Sequence, residues 1–413
     1  MRKYDNFEFD HPLILSPVEN NLKVIVVIPA FNEHYLQTTI DSIFQNTFEN
    51  GSVEVIIVIN ESDCVKREIS KFHQKQYERL LKISEDFSTT KLKLLPVYIK
   101  NIKSDIAGPG IARKIGMDEA VKRFDSINFP QGLIVSLDAD TTVEKNYLNE
   151  LIKTVDNYNK IKAFSIYFEH NIDENISKEE KRAIIQYELH LRYYINMQRV
   201  LQLPFAYYTI GSAMAVRCYA YKESFGMNKR QAGEDFYFLH KFIKTGYYKE
   251  INSTKVFPSA RISNRVPFGT GKALNKIIES QKSLQTYNYR SFEALKSLIS
   301  NLEDIYIDYN NISLMHKPVK AFLETKNFHK RYLEIKKHTK DFHSFRKRFF
   351  RWFDAFLLMK YLHFTRDNYY KNIDIEEAIQ YLLSKYMIEE SNNLETALMT
   401  FRKIDLSFSV KNT

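Results

Sequence analysis

Two pairs of carboxylates could do chemistry in this chain of 413 residues: Asp138 with Asp140, and Glu234 with Asp235. Asp138 and Asp140 directly follow Leu133-Ile134-Val135-Ser136-Leu137, a run that reads as a buried strand. An i, i+2 pair at a strand end can bring both carboxylates to one hard cation. Mg2+ or Mn2+ takes one or two carboxylates and completes its sphere with substrate phosphate oxygens. The competing structural use is to cap the next helix. Glu234 and Asp235 follow Gly233 and open a helical pattern, which makes Asp235 a candidate proton acceptor. A helix N-terminus favours the ionised carboxylate and so works against its basicity, and plain capping is the alternative. Arg113, Arg265 and Lys272 are candidate partners for phosphate oxygens. The stretch Arg265 to Lys272 is basic and glycine-hinged. It is not a phosphate-binding P-loop, because the required first glycine falls at Val266. It reads as a lid over a diphosphate or as an ordinary surface loop.

Asp138-Ala139-Asp140-Thr141-Thr142 also fits the DxDxT pattern of haloacid-dehalogenase-type phosphatases, with Asp138 as nucleophile. In that family the motif ends the first strand of its domain. Here three strand patterns precede it, and no convincing set of the later Ser/Thr, Lys and acidic positions follows.

The elements that must hold these residues alternate between strand and helix. Lys23–Pro29 is a continuous β-branched run, as buried parallel strands are. Leu36, Ile40, Ile43 and Phe44 then fall on one helical face. Val53–Ile59 and Leu92–Ile99 read as further strands, with a charged helix at Ser62–Leu81 between them. Gly108-Pro109-Gly110 opens a helix through Phe124, and Leu133–Leu137 is the fourth strand. After a strand at Ile161–Phe168, Ser177 and Glu180 make a capping-box pattern before a long helix to about Leu203. Gly211–Val216 is small and apolar. The helix opened by Gly233 has Leu239 and Ile243 inward and stops at Gly246. Such alternation predicts an α/β fold, a mostly parallel sheet with helices on both faces. Ligands in such sheets bind beyond the carboxyl ends of the strands, where the polar residues named above fall. From about Ala273 the chain is poor in glycine and reads as an all-helical C-terminal region, giving expected domains of 1–272 and 273–413.

Composition narrows the rest. No internal repeat is evident, and Gly and Pro are too few for long disordered linkers. Cys64 and Cys218 have no metal or redox spacing, which fits a reducing cytoplasmic setting. Met1 to Asp10 has no apolar core of a secretory signal. No apolar run approaches the ~20 residues that span a bilayer. The net charge is +10. Residues 317–371 hold fifteen Lys+Arg against five Asp+Glu, so the whole excess lies there. Such a patch implies an anionic partner or a solvated face.

Four segments, in order, resemble family 2 glycosyltransferases, which have the GT-A fold. Val27-Ile28-Pro29-Ala30-Phe31-Asn32-Glu33 looks like the family's opening strand, and Ala112-Arg113-Lys114-Ile115-Gly116 like its ARNxG helix. Asp138-Ala139-Asp140 looks like its DxD motif, and Glu234-Asp235 like its ED motif, whose Asp serves as catalytic base. The resemblance spans about residues 23–245 and says nothing of 273–413. It implies a mixed, mostly parallel GT-A sheet and a nucleotide-sugar site at Pro29, Ala30, Asn32, Glu33, Asn60, Arg113, Asp138, Arg265 and Lys272. It further implies Mn2+ or Mg2+ on Asp138 and Asp140, with Asp235 and Glu234 catalytic. The partners would be a UDP- or GDP-sugar and a glycan, lipid-linked or small-molecule acceptor, with no nucleic acid. This chain departs from the family at Asn60-Glu61-Ser62-Asp63, where paired aspartates usually read the base, and at Lys114, which replaces the usual Asn. No His is placed as a further metal ligand, and His240 reads as structural. Arg348-Phe349-Phe350-Arg351-Trp352 misses the processive QxxRW motif by one residue, so a non-processive enzyme is expected.

One stretch stands outside this scheme. In residues 342–370, Phe345, Phe349, Phe353 and Phe356 form a stripe on a single helix, flanked by Arg348 and Arg351. The stripe fits either the packed face of a core helix or peripheral contact with the inner face of a membrane. Three functions therefore compete: a metal-dependent, inverting glycosyltransferase, a DxDxT-type phosphatase, and a catalytically silent GT-A-like binding module.

Overall fold

The structure is a computed structural model that describes residues 6–172, 176–228, 233–261, 270–389, 391 and 393–408. The chain divides into two compact units. The first comprises residues 1–171, 208–260 and 406–413, and the second 172–207 and 261–405.

In chain order the first unit holds β1 (Leu22–Ala30), α1 (Leu36–Phe44), β2 (Ser52–Ser62), α2 (Arg67–Phe87), β3 (Leu92–Ile102), α3 (Pro109–Ser126), β4 (Leu133–Ser136), β5 (Thr142–Val143), α4 (Tyr147–Asn157) and β6 (Ala163–Phe168). The chain then enters the second unit through α5 (Lys178–Val200) and returns with β7 (Met214–Arg217), α6 (Cys218–Glu223), α7 (Glu234–Ile243) and β8 (Tyr248–Phe257). One eight-stranded sheet runs β3-β2-β1-β4-β7-β6-β8-β5. The pairs β2–β3, β1–β2, β1–β4 and β6–β8 are parallel, and β4–β7, β6–β7 and β5–β8 are antiparallel. The mixed, mostly parallel sheet is the expected one. β1 lies between β2 and β4 with Val24 to Ile28 all at 0% exposure, so the β-branched run is an interior strand covered on both faces.

β8 is an element that apolar periodicity does not reveal. Its sequence YKEINSTKVF carries Lys249, Glu250 and Lys255 between inward residues, so it has neither a continuous apolar run nor clean alternation. Its place is set by pairing with β6 and β5.

Helix α3 buries charged side chains that hold the N-terminal segment. Asp118 accepts from the Glu8 N–H, and Glu119 from the Leu13 and Ile14 N–H groups. Lys122 Nζ donates to the carbonyls of Phe9 and His11. Lys114, at the position where the family has Asn, donates to the Asn6 carbonyl at 2.6 Å and pairs with Asp118 at 2.8 Å.

The second unit continues with α8 (Thr270–Ser280), β9 (Gln285–Thr286), α9 (Tyr289–Ser300), α10 (Leu302–Ile307), α11 (Lys317–Thr325), α12 (Phe328–Lys337), α13 (Phe342–Trp352), α14 (Ala355–Asn368), β10 (Ile373–Asp374), α15 (Ile375–Lys385) and α16 (Leu394–Phe408). The antiparallel pair β9–β10 is a small exception to the all-helical expectation. The expected boundary after residue 272 also differs from the observed division, because α5 belongs to this unit. The Ser177–Glu180 capping box starts α5 as read. Its buried face is charged. Glu188 takes Arg192 and Arg402, while Asp405 takes Arg192, Arg199 and Asn196. Buried ions need such partners, and these come from α16, far along the chain.

The single aromatic helix expected over 342–370 is two helices. Asp354 breaks it by capping α14, accepting from the Leu357 N–H at 3.0 Å. Phe345, Phe349 and Phe353 are at 0–1% exposure. These three rings are core, as the packed-face reading expects, while Phe356, the fourth of the stripe, falls on α14 and is half-buried. Lys347, Arg348 and Arg351 remain exposed on α13. Among the described residues, no helix is long and apolar enough to cross a membrane.

Candidate functional site

Strands β2, β1 and β4 are parallel neighbours, so their carboxyl ends share one edge of the sheet. Pro29 and Ala30 end β1, Asn60 lies at the end of β2, and Asp138 and Asp140 follow β4. The Asp138–Asp140 turn is held in place twice. The Thr141 N–H donates to the Asp138 carbonyl at 3.1 Å, and Thr39 Oγ1 of α1 donates to the Ala139 carbonyl at 3.0 Å. Asp138 keeps 38% of its side chain exposed, and Asp140 is half-buried.

Arg113 comes from the second turn of α3 and is buried. Its guanidinium bridges two carboxylates from opposite ends of the motif set: Nη2 donates to Asp138 Oδ1 and Nη1 to Glu234 Oε1. Burial opposes its charge, but Asp138, Glu234 and Asp235 outweigh burial and hold it protonated above its ordinary range. Sequence reading made Arg113 a phosphate partner. In the structure its fork is occupied by protein carboxylates. Glu234, expected to be catalytic, is buried and is the Arg113 anchor.

Asp235 sits beside this pair on the first turn of α7, after Gly233 with φ 67°. Its Oδ1 accepts from the Phe236 N–H at 2.7 Å. Burial, followed by the negative charge of Glu234, pushes its carboxyl up to about 6, against the pull of Arg113 and the Phe236 N–H. The helix-terminus effect expected to keep it weakly basic is therefore overruled by desolvation. His240 is buried with its ring against Phe236.

Gly211 belongs to this site, although the sequence shows it only as the start of a small, apolar stretch. A Cβ there would lie 2.7 Å from Nη2, 2.9 Å from Cζ and 3.0 Å from Nη1 of Arg113. The guanidinium lies against bare backbone and cannot retreat without breaking an ion pair. Gly211→Ala is therefore expected to cost ~1–3 kcal/mol by overpacking, read as a fall in the thermal midpoint. An unchanged midpoint would show that the guanidinium gives way freely.

The remaining expected residues separate into two groups. Asn60 is 2% exposed, and its Nδ2 donates to the Gly108 carbonyl at 3.3 Å, ahead of α3. Asn32 turns the chain after β1 with φ 47°. Glu33 is buried and accepts from the Tyr35 N–H. Arg265, with all of 262–269, lies outside the described residues, and Lys272 is an exposed residue of α8 in the second unit.

Asp138, Glu234 and Asp235 oppose one guanidinium, and Asp140 follows Asp138 on the same turn. This excess of negative charge suits a divalent cation. Asp138 and Asp140 fit as a two-carboxylate set completed by phosphate oxygens and water. Among the described residues no cluster of three or more His, Cys, Asp or Glu groups could hold a metal by itself. The phosphatase reading fits poorly: Asp138 follows the fourth strand of the unit, not the first, and one of its oxygens is tied to Arg113.

The chain is similar in part to several known proteins. The curated glycosyltransferase GlyA of Streptococcus pneumoniae is 25% identical over 155 residues, 37% of this chain but only 18% of that protein. The S. aureus TarS 1-349 structure in complex with UDP-GlcNAc covers 94% of this chain and 91% of its own, at 12% identity and a TM-score of 0.40. Its complex with UDP covers 81% of this chain and 92% of its own, at 12% identity and a TM-score of 0.39. The sequence pattern of the family described as Glycosyl transferase family 2 matches residues 25–225, from β1 through α6. That segment, which carries the β1 end, Arg113 and the Asp138–Asp140 turn, is similar to glycosyl transferase family 2.

Proposed function

We propose that the protein transfers a sugar from a nucleotide-sugar donor, a UDP- or GDP-sugar, to a hydroxyl acceptor with inversion. The observation that carries this reading is the Asp138–Arg113–Glu234 bridge with Asp235 beside it, at the carboxyl ends of parallel strands. Asp138 and Asp140 would hold Mg2+ or Mn2+. When bound, the cation supplies positive charge that stabilises the departing diphosphate. Asp235 accepts the acceptor hydroxyl's proton as that oxygen bonds to the anomeric carbon and the carbon–phosphate oxygen bond breaks on the opposite face. A glycan, a lipid-linked sugar or a small molecule all supply such a hydroxyl. Glu234 and Arg113 act by placing Asp138 and by keeping counter-charge near the diphosphate. Non-processive transfer is supported by the segment nearest the QxxRW pattern, which forms α13 in the second unit with Phe349 and Phe350 in its core.

Two measurements test this. Nucleoside diphosphate release is measured across a panel of nucleotide sugars with Mn2+ or Mg2+. Thermal shift is measured with nucleoside diphosphate and Mn2+ singly and together. Stabilisation that needs both, with turnover of one donor, supports transfer. Binding without turnover of any donor supports a silent module. Asp140→Asn is expected to weaken Mn2+-dependent nucleotide binding at least ~10-fold, since one charged ligand is lost. Unchanged metal-dependent binding in that variant removes Asp140 from the cation site.

A further inference from the structure

Sequence reading treats the end of β2 as a place where the donor base is met, yet Glu61 is 4% exposed and turned into the protein. Its Oε1 accepts from Ser70 Oγ at 3.1 Å, and its Oε2 from Tyr98 Oη at 2.8 Å. The same Oε2 lies 3.1 Å from His73 Nδ1. The other ring nitrogen of His73, Nε2, accepts from the Asn32 backbone N–H at 2.9 Å. An amide N–H can only donate, so Nε2 must be unprotonated and Nδ1 must carry the hydrogen toward Glu61. The imidazole is therefore neutral and in one tautomer. Burial also pushes its pKa below the ordinary value, against the pull of Glu61.

What this chain of bonds holds is the turn after β1. Asn32 has φ 47°, a left-handed conformation that costs a non-glycine residue free energy unless its surroundings determine it. Gln76, one turn after His73 on α2, donates to the Glu33 carbonyl at 2.6 Å. Two side chains of one helix thus seize two consecutive backbone groups of the loop that leaves Phe31 exposed at the sheet edge.

We propose that His73, oriented by Glu61, is a positioning residue that sets the backbone of Phe31–Glu33 for the donor nucleoside, so that Glu61 acts through His73 and does not touch the base. This rests on the nucleotide-sugar reading above. The test uses two variants of similar size. His73→Asn keeps a donor toward Glu61 and loses the acceptor for Asn32. His73→Gln places an acceptor at the reach of Nε2. His73→Asn is expected to raise the donor KM and the nucleoside diphosphate Kd about 5- to 10-fold, the worth of one buried hydrogen bond. Its kcat should stay within ~2-fold, because uniform binding is what is lost. His73→Gln should recover donor affinity to within ~3-fold of the parent even if both variants melt lower. In the parent, 15N NMR should show a neutral His73 protonated at Nδ1 near pH 7. A donor KM unchanged in His73→Asn, no recovery in His73→Gln, or a ring protonated at Nε2 overturns the proposal. If the parent itself binds no nucleoside diphosphate, the glycosyl-transfer reading falls and takes this one with it. The two failures are therefore distinct.

Discussion

Asp235→Asn is expected to lower kcat by ~10²-fold or more while leaving donor binding nearly intact, because the amide cannot take the acceptor's proton. Titration of this carboxyl adds a second readout. The base works ionised, so kcat/KM should fall with unit slope as pH drops through about 6, the value to which burial and Glu234 raise it. The sign on stability is opposite to that of a salt-bridged acid. A carboxyl raised from 3.8 to about 6 favours the folded state when protonated. Its stabilising protonation is present below pH 4, is lost between about 4 and 6, and is absent above. The Asn variant should therefore melt no lower than the parent at pH 8, and it should lack the parent's loss of stability across that window. A site that gives up stability for a poised base behaves this way. Product with retained anomeric configuration, or near-normal turnover, would remove Asp235 from the role.

Arg113→Met is expected to cost ~3–5 kcal/mol of folding stability, the usual result of leaving one member of a buried pair behind. Glu234 is 4% exposed, and Arg113 is its ion-pair partner. Removing the guanidinium leaves that carboxylate desolvated beside Asp138 and Asp235. Arg113→Lys keeps a charge but cannot bridge two carboxylates with a planar fork, so it should fall between parent and Met. Arg113→Met/Glu234→Met removes both ions and should recover much of the loss. Urea or thermal unfolding of the parent, Arg113→Met, Glu234→Met and the double variant completes a double-mutant cycle with a coupling of ~1 kcal/mol or more. A coupling near zero would show that the pair contributes nothing. Metal-dependent nucleotide binding should weaken in Arg113→Met as well, since the same guanidinium holds Asp138 Oδ1.

Local pattern determined much of this protein. The β-branched run Val24–Ile28 specifies an interior parallel strand because both its faces must be apolar. The change from strand to helical period places Asp138–Asp140 and Glu234–Asp235 at element ends, where ligands meet such sheets. The Ser177–Glu180 cap and the start of α7 were legible for the same reason: each is settled within one turn of chain.

What only the tertiary structure decided involves partners far apart in sequence. Arg113 meets Glu234 121 positions away, which turns an expected phosphate partner and an expected catalytic carboxylate into each other's counter-ions. His73 reaches Asn32 across 41 positions, and nothing in a charged amphipathic helix marks that histidine. Arg192 finds Asp405 213 positions on, which draws α5 into the second unit. β8 exists because β6 and β5 complete its hydrogen bonds, not because its residues alternate. The aromatic stripe at 345–353 has the same period whether it faces lipid or core, and only the packed unit shows it to be core. Periodicity records which face of an element is apolar. It carries no information about which distant charge will neutralise a buried one, because that match is made only when the desolvated groups are brought together.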